Sequence, residues 1–208
     1  MEFTRDWFSN NIAVWSKVLR GMVGRPDVKA LEIGSYEGRS AVWLLQNVLT
    51  HPGAHITCVD NFDVNDSAAI HRRFLSNLSR FRSKYKLLKG ASSEMLKLPS
   101  VLRQRFDIIY IDANHHSRHV MEDAVLAFAV LKPGGIMILD DYTDNKEHDN
   151  NCPKPAINAF LAAYANEVQV LHAGWQVILK RRRAPLRKKL CFSEYFREPP
   201  RAASMQRY

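Results

Sequence analysis

What most limits the fold of this chain is an alternation. Short apolar runs rich in β-branched residues are followed by stretches of helical periodicity, and the order holds from residue 28 to residue 166. Segments 28–33, 55–60, 85–89, 106–111 and 136–139 read as strands, the last after the turn Pro133-Gly134-Gly135. Segments 39–49, 67–81, 118–131 and 155–166 read as helices. An amphipathic helix over 10–19 precedes them, with Ile12, Trp15 and Leu19 on one face. The chain closes on a hairpin, 168–171 and 175–180, around the turn His172-Ala173-Gly174. Strands alternating with helices require a mostly parallel sheet covered on both faces, and the hairpin adds an antiparallel strand. The expected class is therefore α/β. With 208 residues there is room for one such domain. We divide it into an N-terminal helical segment (1–25), the α/β domain (26–180) and a basic C-terminal tail (181–208).

Charge locates the tail. Residues 180–208 hold ten Lys/Arg against two Glu, whereas residues 1–179 hold twenty against nineteen. The net charge of +9 is thus a property of the tail, and the body carries no general phosphate-binding surface. Three scattered cysteines, Cys58, Cys152 and Cys191, make neither a disulfide framework nor a cysteine-based zinc site. No apolar run approaches a membrane span and no signal-peptide core follows the charged start, so a cytoplasmic protein is expected.

In open α/β sheets ligands bind beyond the carboxyl ends of the strands. The first such end is Glu32-Ile33-Gly34-Ser35-Tyr36-Glu37-Gly38, where Gly34 lets the chain turn at once and Gly38 lets the next helix start close to a ligand. It lacks the G-x-G-x-x-G of dinucleotide folds, and Glu32 would repel a pyrophosphate. An acid there suits S-adenosylmethionine, which carries an ammonium and a sulfonium but no phosphate. Asp60, ending the second strand, is placed to accept both ribose hydroxyls. An ordinary strand-to-helix turn is the competing reading of the loop taken alone.

Together with Cys58-Val59-Asp60, Tyr110-Ile111-Asp112, Leu131-Lys132-Pro133-Gly134-Gly135 and Asp140-Asp141, this loop resembles the class I S-adenosylmethionine-dependent methyltransferases. More narrowly, the chain is similar to the bacterial small-molecule methyltransferase 24 family over about residues 3–180, including the opening Asp6-Trp7-Phe8-Ser9. The resemblance implies a Rossmann-like fold with a seven-stranded, mostly parallel sheet. It implies that Glu32 and the loop Gly34, Ser35, Tyr36 and Gly38 face the methionine moiety of the cofactor. It further implies Asp60 at the ribose and Gly90, Ala91 and Ser92 against the adenine, with Asp112 also at the cofactor.

The fourth and fifth strands both end in carboxylates: Asp112, and Asp140 with Asp141. Carboxylates about 5 Å apart repel by roughly 3 kcal/mol per pair at an effective dielectric near 20. A hard divalent cation relieves that repulsion, and metal-dependent O-methyltransferases resemble this arrangement. On that analogy Asp112, Asp140 and Asp141 hold Mg²⁺, provided the chain turns at Asp140-Asp141, because successive strand residues face opposite ways. The competing reading has Asp112 orienting cofactor or substrate and Asp141 capping a loop. His115, three residues after Asp112, resembles the general base of metal-dependent sugar O-methyltransferases. Its competing reading is a surface histidine opening a helix. A zinc pair with His119 lacks a third ligand.

The sequence thus points to methylation of a small-molecule sugar or phenolic hydroxyl, with Asp112 and His115 catalytic. Two alternatives are a nucleic-acid methyltransferase anchored by the tail and a non-catalytic cofactor-binding protein. The loop after Tyr142 is where acceptor contacts would gather, and Trp7, Phe8 and Trp15 offer an apolar face to a second copy of the chain. The nucleic-acid reading predicts RNA or DNA binding that weakens steeply with salt and vanishes on removal of residues 181–208, checked by a filter-binding salt series.

Overall fold

A computed structural model of the chain describes residues 1–64, 66–143 and 152–183. The expected polar loop 142–151 and basic tail 181–208 fall mostly outside the described residues.

Seven strands form one sheet in the order β3-β2-β1-β4-β5-β7-β6. They are β1 (Lys29–Ile33), β2 (His55–Asp60), β3 (Tyr85–Lys89), β4 (Phe106–Ile111), β5 (Leu131–Leu139), β6 (Val168–Ala173) and β7 (Val177–Arg181). β1 to β5 pair in parallel, and β7 runs antiparallel to both β5 and β6. The helices are α1 (Ile12–Leu19), α2 (Arg39–Asn47), α3 (Ser67–Asn77), the single turns α4 (Ser92–Met95) and α5 (Pro99–Leu102), α6 (Ser117–Val130) and α7 (Pro153–Ala163). The Rossmann-like α/β class with its antiparallel terminal strand is as expected.

The side-chain alternation of the strands builds two cores. Ala30, Ile56, Ile108, Tyr110, Ile136, Ile138 and Ile178 face α1, α2 and α3. Leu31, Ile33, Ile109, Ile111, Met137 and Leu139 face the α6–α7 side. Apart from buried polar residues such as Glu32 and Thr57, the central strands are therefore apolar on both faces, which is why they read as continuous runs.

Three local expectations are revised. Lys132-Pro133-Gly134-Gly135 is not a turn before a strand. It lies inside β5 and bulges from the ladder, so that Leu131 still pairs with Phe106 while Ile136 pairs with Ile108. Proline and a left-handed Gly134 (φ +84°) suit such a bulge. The hairpin turn is Gly174-Trp175-Gln176, later than read, because β6 runs on to Ala173. Trp15 and Phe8 are buried inside this chain, Trp15 packing edge-on against Phe8, Trp43 and Tyr110. They are not available to a second copy, and Trp7 alone of the three is exposed.

Gly34 is set by backbone contact. A Cβ there would lie 1.9 Å from the Asp112 carbonyl oxygen, and its φ is +84°. Gly34→Ala is expected to lower stability by more than about 3 kcal/mol in urea unfolding. Gly21, with open space around it, is the control, and Gly21→Ala should change stability by less than about 0.5 kcal/mol.

Candidate active site

Two clusters form at the carboxyl ends of the central strands. The first is the turn after β1. Asp60 does not stand open at the end of β2. Its Oδ2 accepts the backbone N–H groups of Ser35 (2.7 Å) and Tyr36 (2.8 Å), and its Oδ1 accepts that of Phe62 (2.6 Å). A carboxylate offers about four acceptor positions, so this arrangement leaves one for a further donor. The carboxylate thereby holds Tyr36 at φ +49°, a strained value for a non-glycine residue.

Glu32 is also placed differently from expectation. It is fully buried beneath the loop, taking Ser35 Oγ on one oxygen (2.7 Å) and Ser40 Oγ on the other (2.6 Å). It braces the loop from below and does not front an open ligand space. Burial outweighs the help of the Ser40, Ser35 and Cys58 hydrogen bonds and pushes its carboxyl up to about 7. Above the loop, Glu37 fastens the N-terminal segment: its carboxylate accepts the Thr4 N–H (2.6 Å) and hydroxyl (2.8 Å) and pairs with Arg73 (3.2 Å). Gly38 is left-handed, and a side chain there would strike Leu78 and Phe74 around α3. Ala91 and Ser92 open α4, directly after β3.

The second cluster joins the ends of β4 and β5. Asp112, His115 and Asp141 each present one ligand atom, all within 4.8 Å of one another. His115 Nε2 lies 2.9 Å from Asp141 Oδ2. The chain does turn here, since Asp141 has φ +57°. The turn changes the membership of the expected trio. Asp140 keeps the strand parity of Ile138 and points to the α1 face. There its Oδ2 takes the Tyr110 hydroxyl and Gln176 Nε2 (2.8 Å), and its Oδ1 takes the Asp141 N–H (2.8 Å). Among the described residues the group that could share one ion is Asp112, His115 and Asp141, while Asp140, the expected third carboxylate, is engaged by Tyr110, Gln176 and the Asp141 N–H.

The Tyr110 hydroxyl also lies 2.8 Å from Asp112 Oδ2. One phenolic proton cannot serve two carboxylates, and burial together with the charges of Asp140 and Asp141 pushes the Asp112 carboxyl well above its usual range. Burial raises the Asp140 carboxyl too. The site is short of positive charge. The cleft lined by Asp112, His115, Asp140, Asp141, Val120 and Pro153 has about 10 Å³ of free volume, enough for one water-sized occupant. Two carboxylate oxygens beside a cleft of that size, with the His115 imidazole next to them, fit a single divalent cation. The sequence offers Tyr110 as a strand residue, Gln176 as part of the hairpin and Trp15 as the apolar face of the N-terminal helix, and only the Tyr110-Ile111-Asp112 motif marks one of them.

Comparison with known proteins bears on the fold and the family. The profile of the methyltransferase 24 family, described as a methyltransferase domain, matches residues 31–142. An uncharacterized protein of Acanthamoeba polyphaga mimivirus is 24% identical over 145 residues, 66% of this chain and 61% of its own. The sterol 24-C-methyltransferase of Gibberella zeae is 29% identical over 146 residues, 69% of this chain and 35% of its own. The chain thus spans less than two thirds of the length of both curated relatives. Among solved structures, an O-methyltransferase from Bacillus cereus in complex with S-adenosylhomocysteine superposes with a TM-score of 0.65 at 19% identity, covering 87% of this chain and 84% of that one. The MycE methyltransferase of the mycinamycin pathway, in complex with Mg and S-adenosylhomocysteine, gives 0.61 at 16% identity, covering 86% and 51%. Among the described residues no helix is long and apolar enough to cross a membrane.

The raised Glu32 carboxyl has a consequence for stability. A carboxyl near 4.5 unfolded and about 7 folded binds more protons in the native state between those values, so its contribution falls as pH rises through that window. Glu32→Gln should remove on the order of 3 kcal/mol of that dependence, at about 1.4 kcal/mol per pKa unit. Urea unfolding of both proteins from pH 4.5 to pH 8 reads it as a difference growing with pH.

Proposed function

This chain belongs to the methyltransferase 24 family, and we propose that it transfers the methyl group of S-adenosylmethionine to a hydroxyl of a small molecule with the help of Mg²⁺. The observation that carries the reading is the convergence of Asp112, His115 and Asp141 at the ends of β4 and β5. The loop Gly34, Ser35, Tyr36 and Gly38 would lie along the methionine moiety, with Glu32 bracing it from beneath. Asp60 would accept one ribose hydroxyl through its remaining acceptor position, and Ala91 and Ser92 would border the adenine. The Bacillus cereus and MycE enzymes carry S-adenosylhomocysteine on the same fold, and MycE carries Mg, which supports both ligands here.

Methyl transfer is an in-line displacement in which alignment of nucleophile, methyl and sulfur contributes roughly 7–11 kcal/mol. The acceptor oxygen loses its proton to His115 and bonds to the methyl carbon. The carbon–sulfur bond breaks, and its electron pair stays on the sulfur of neutral S-adenosylhomocysteine. Asp141, 2.9 Å from the imidazole, orients the ring for that proton and stabilises its charged form. Asp112 and Asp141 would hold Mg²⁺, which when bound lowers the pKa of the acceptor hydroxyl. A small, hard cation suits the carboxylate oxygens better than the imidazole, which is why His115 is assigned to the proton.

The test is turnover of hydroxylated acceptors with and without EDTA, beside calorimetric titration of S-adenosylhomocysteine. His115→Ala should lower kcat by about 10²–10⁴ with unchanged cofactor affinity, and Asp112→Asn should abolish the response to Mg²⁺. Full turnover in both variants with a true acceptor would exclude the assignment.

A further inference from the structure

The trio at the ends of β4 and β5 stands on a second layer of buried side chains that reaches the N-terminal helix. Gln176, at the tip of the β6–β7 hairpin, is 2% exposed. Its Oε1 accepts the indole N–H of Trp15 at 2.8 Å, and its Nε2 donates to Asp140 Oδ2 at 2.8 Å. An indole nitrogen only donates, so the amide has one workable orientation, with oxygen toward α1 and nitrogen toward Asp140. Asp140, held this way, accepts the backbone N–H of Asp141 on its other oxygen at 2.8 Å. On the far side of Asp141, the Tyr142 N–H donates to the Trp175 carbonyl at 2.8 Å. The hairpin tip is therefore fastened to the chain both before and after Asp141.

Between these ties Asp141 has φ +57°, a conformation that a non-glycine residue keeps only when its surroundings impose it. That conformation brings its Oδ2 to His115 and into reach of Asp112. We propose that Gln176, its amide orientation fixed by Trp15, is a positioning residue for the cation site: it retains Asp140 as an internal acceptor and sets the turn that aims Asp141. The proposal rests on the reading of the trio as a Mg²⁺ site. Mg²⁺ demands near-octahedral geometry at about 2.0–2.1 Å, so a loosened Asp141 weakens binding even though Gln176 never touches the ion.

The experiment is calorimetric titration of the full chain with Mg²⁺ and, separately, with S-adenosylhomocysteine. Gln176→Leu is expected to weaken Mg²⁺ binding about 10–100-fold while leaving S-adenosylhomocysteine affinity unchanged. Trp15→Phe keeps a ring beside Phe8 and Tyr110 but removes the N–H together with the second ring of a fully buried indole, so urea unfolding accompanies the titration, and it should weaken Mg²⁺ less than Gln176→Leu. The double variant should match Gln176→Leu alone, because Trp15 acts through the amide. Unchanged Mg²⁺ affinity in Gln176→Leu, additive effects in the double variant, or equal loss of both ligands would each overturn the proposal. A wild-type chain that takes up no Mg²⁺ overturns the metal reading and this inference together, whereas the other outcomes overturn this inference alone. Should Gln176→Leu fail to fold, Gln176→Met and Trp15→Phe carry the same test.

Discussion

The contact between the ends of β1 and β4 organises the rest of the molecule. The Asp112 N–H donates to the Ile33 carbonyl at 2.8 Å, and the Asp112–Ala113 backbone then runs so close to Gly34 that no Cβ fits between them. These are neighbouring strands at the middle of the sheet, where connections leave in opposite directions and the fold opens a crevice. Because the two turns touch there, the loop proposed for the cofactor and the carboxylate proposed for the reaction are in direct backbone contact. In-line transfer needs a fixed spacing of this kind, since a displacement of either partner lengthens the path between sulfur and nucleophile.

Around that contact the chain buries more negative charge than its own donors neutralise. Glu32 is covered by serine hydroxyls, Asp60 by backbone N–H groups, and Asp140 by an amide, a phenol and a backbone N–H. Asp112 has the Tyr110 hydroxyl, which it shares with Asp140. The supply of hydrogen-bond donors thins from the loop toward β4. Such a gradient separates carboxylates that hold the scaffold from those with capacity left for a ligand. Local conflicts of this kind are tolerated at functional sites, where burial raises carboxyl pKa values and an incoming cation relieves them.

The architecture was legible because it rests on local periodicity. A strand buried on both faces is apolar throughout, and a covering helix repeats its apolar residues every three to four positions, so 28–180 could be divided without knowing what touched what. Departures came where local chemistry was ambiguous. Pro133-Gly134-Gly135 has turn composition, yet the pairing of Leu131 with Phe106 keeps it within β5 as a bulge. The tip of the hairpin moved because β6 and β7 pair through Ala173 and Val177.

For the site, residue order alone puts acids at the strand ends, namely Glu32, Asp60, Asp112, Asp140 and Asp141, with His115 three residues after Asp112. It also determined that ligands gather there, because an α/β sheet opens at that edge. The direction in which each group faces follows from packing in three dimensions. Strand parity turns Asp140 inward, the left-handed turn swings Asp141 outward, and burial beneath the loop takes Glu32 out of reach. Only the fold could bring Trp15, Tyr110, Asp140 and Gln176 together. Those contacts span up to 161 residues of chain, and a hydrogen bond between such distant positions leaves no mark on the composition or periodicity of either segment.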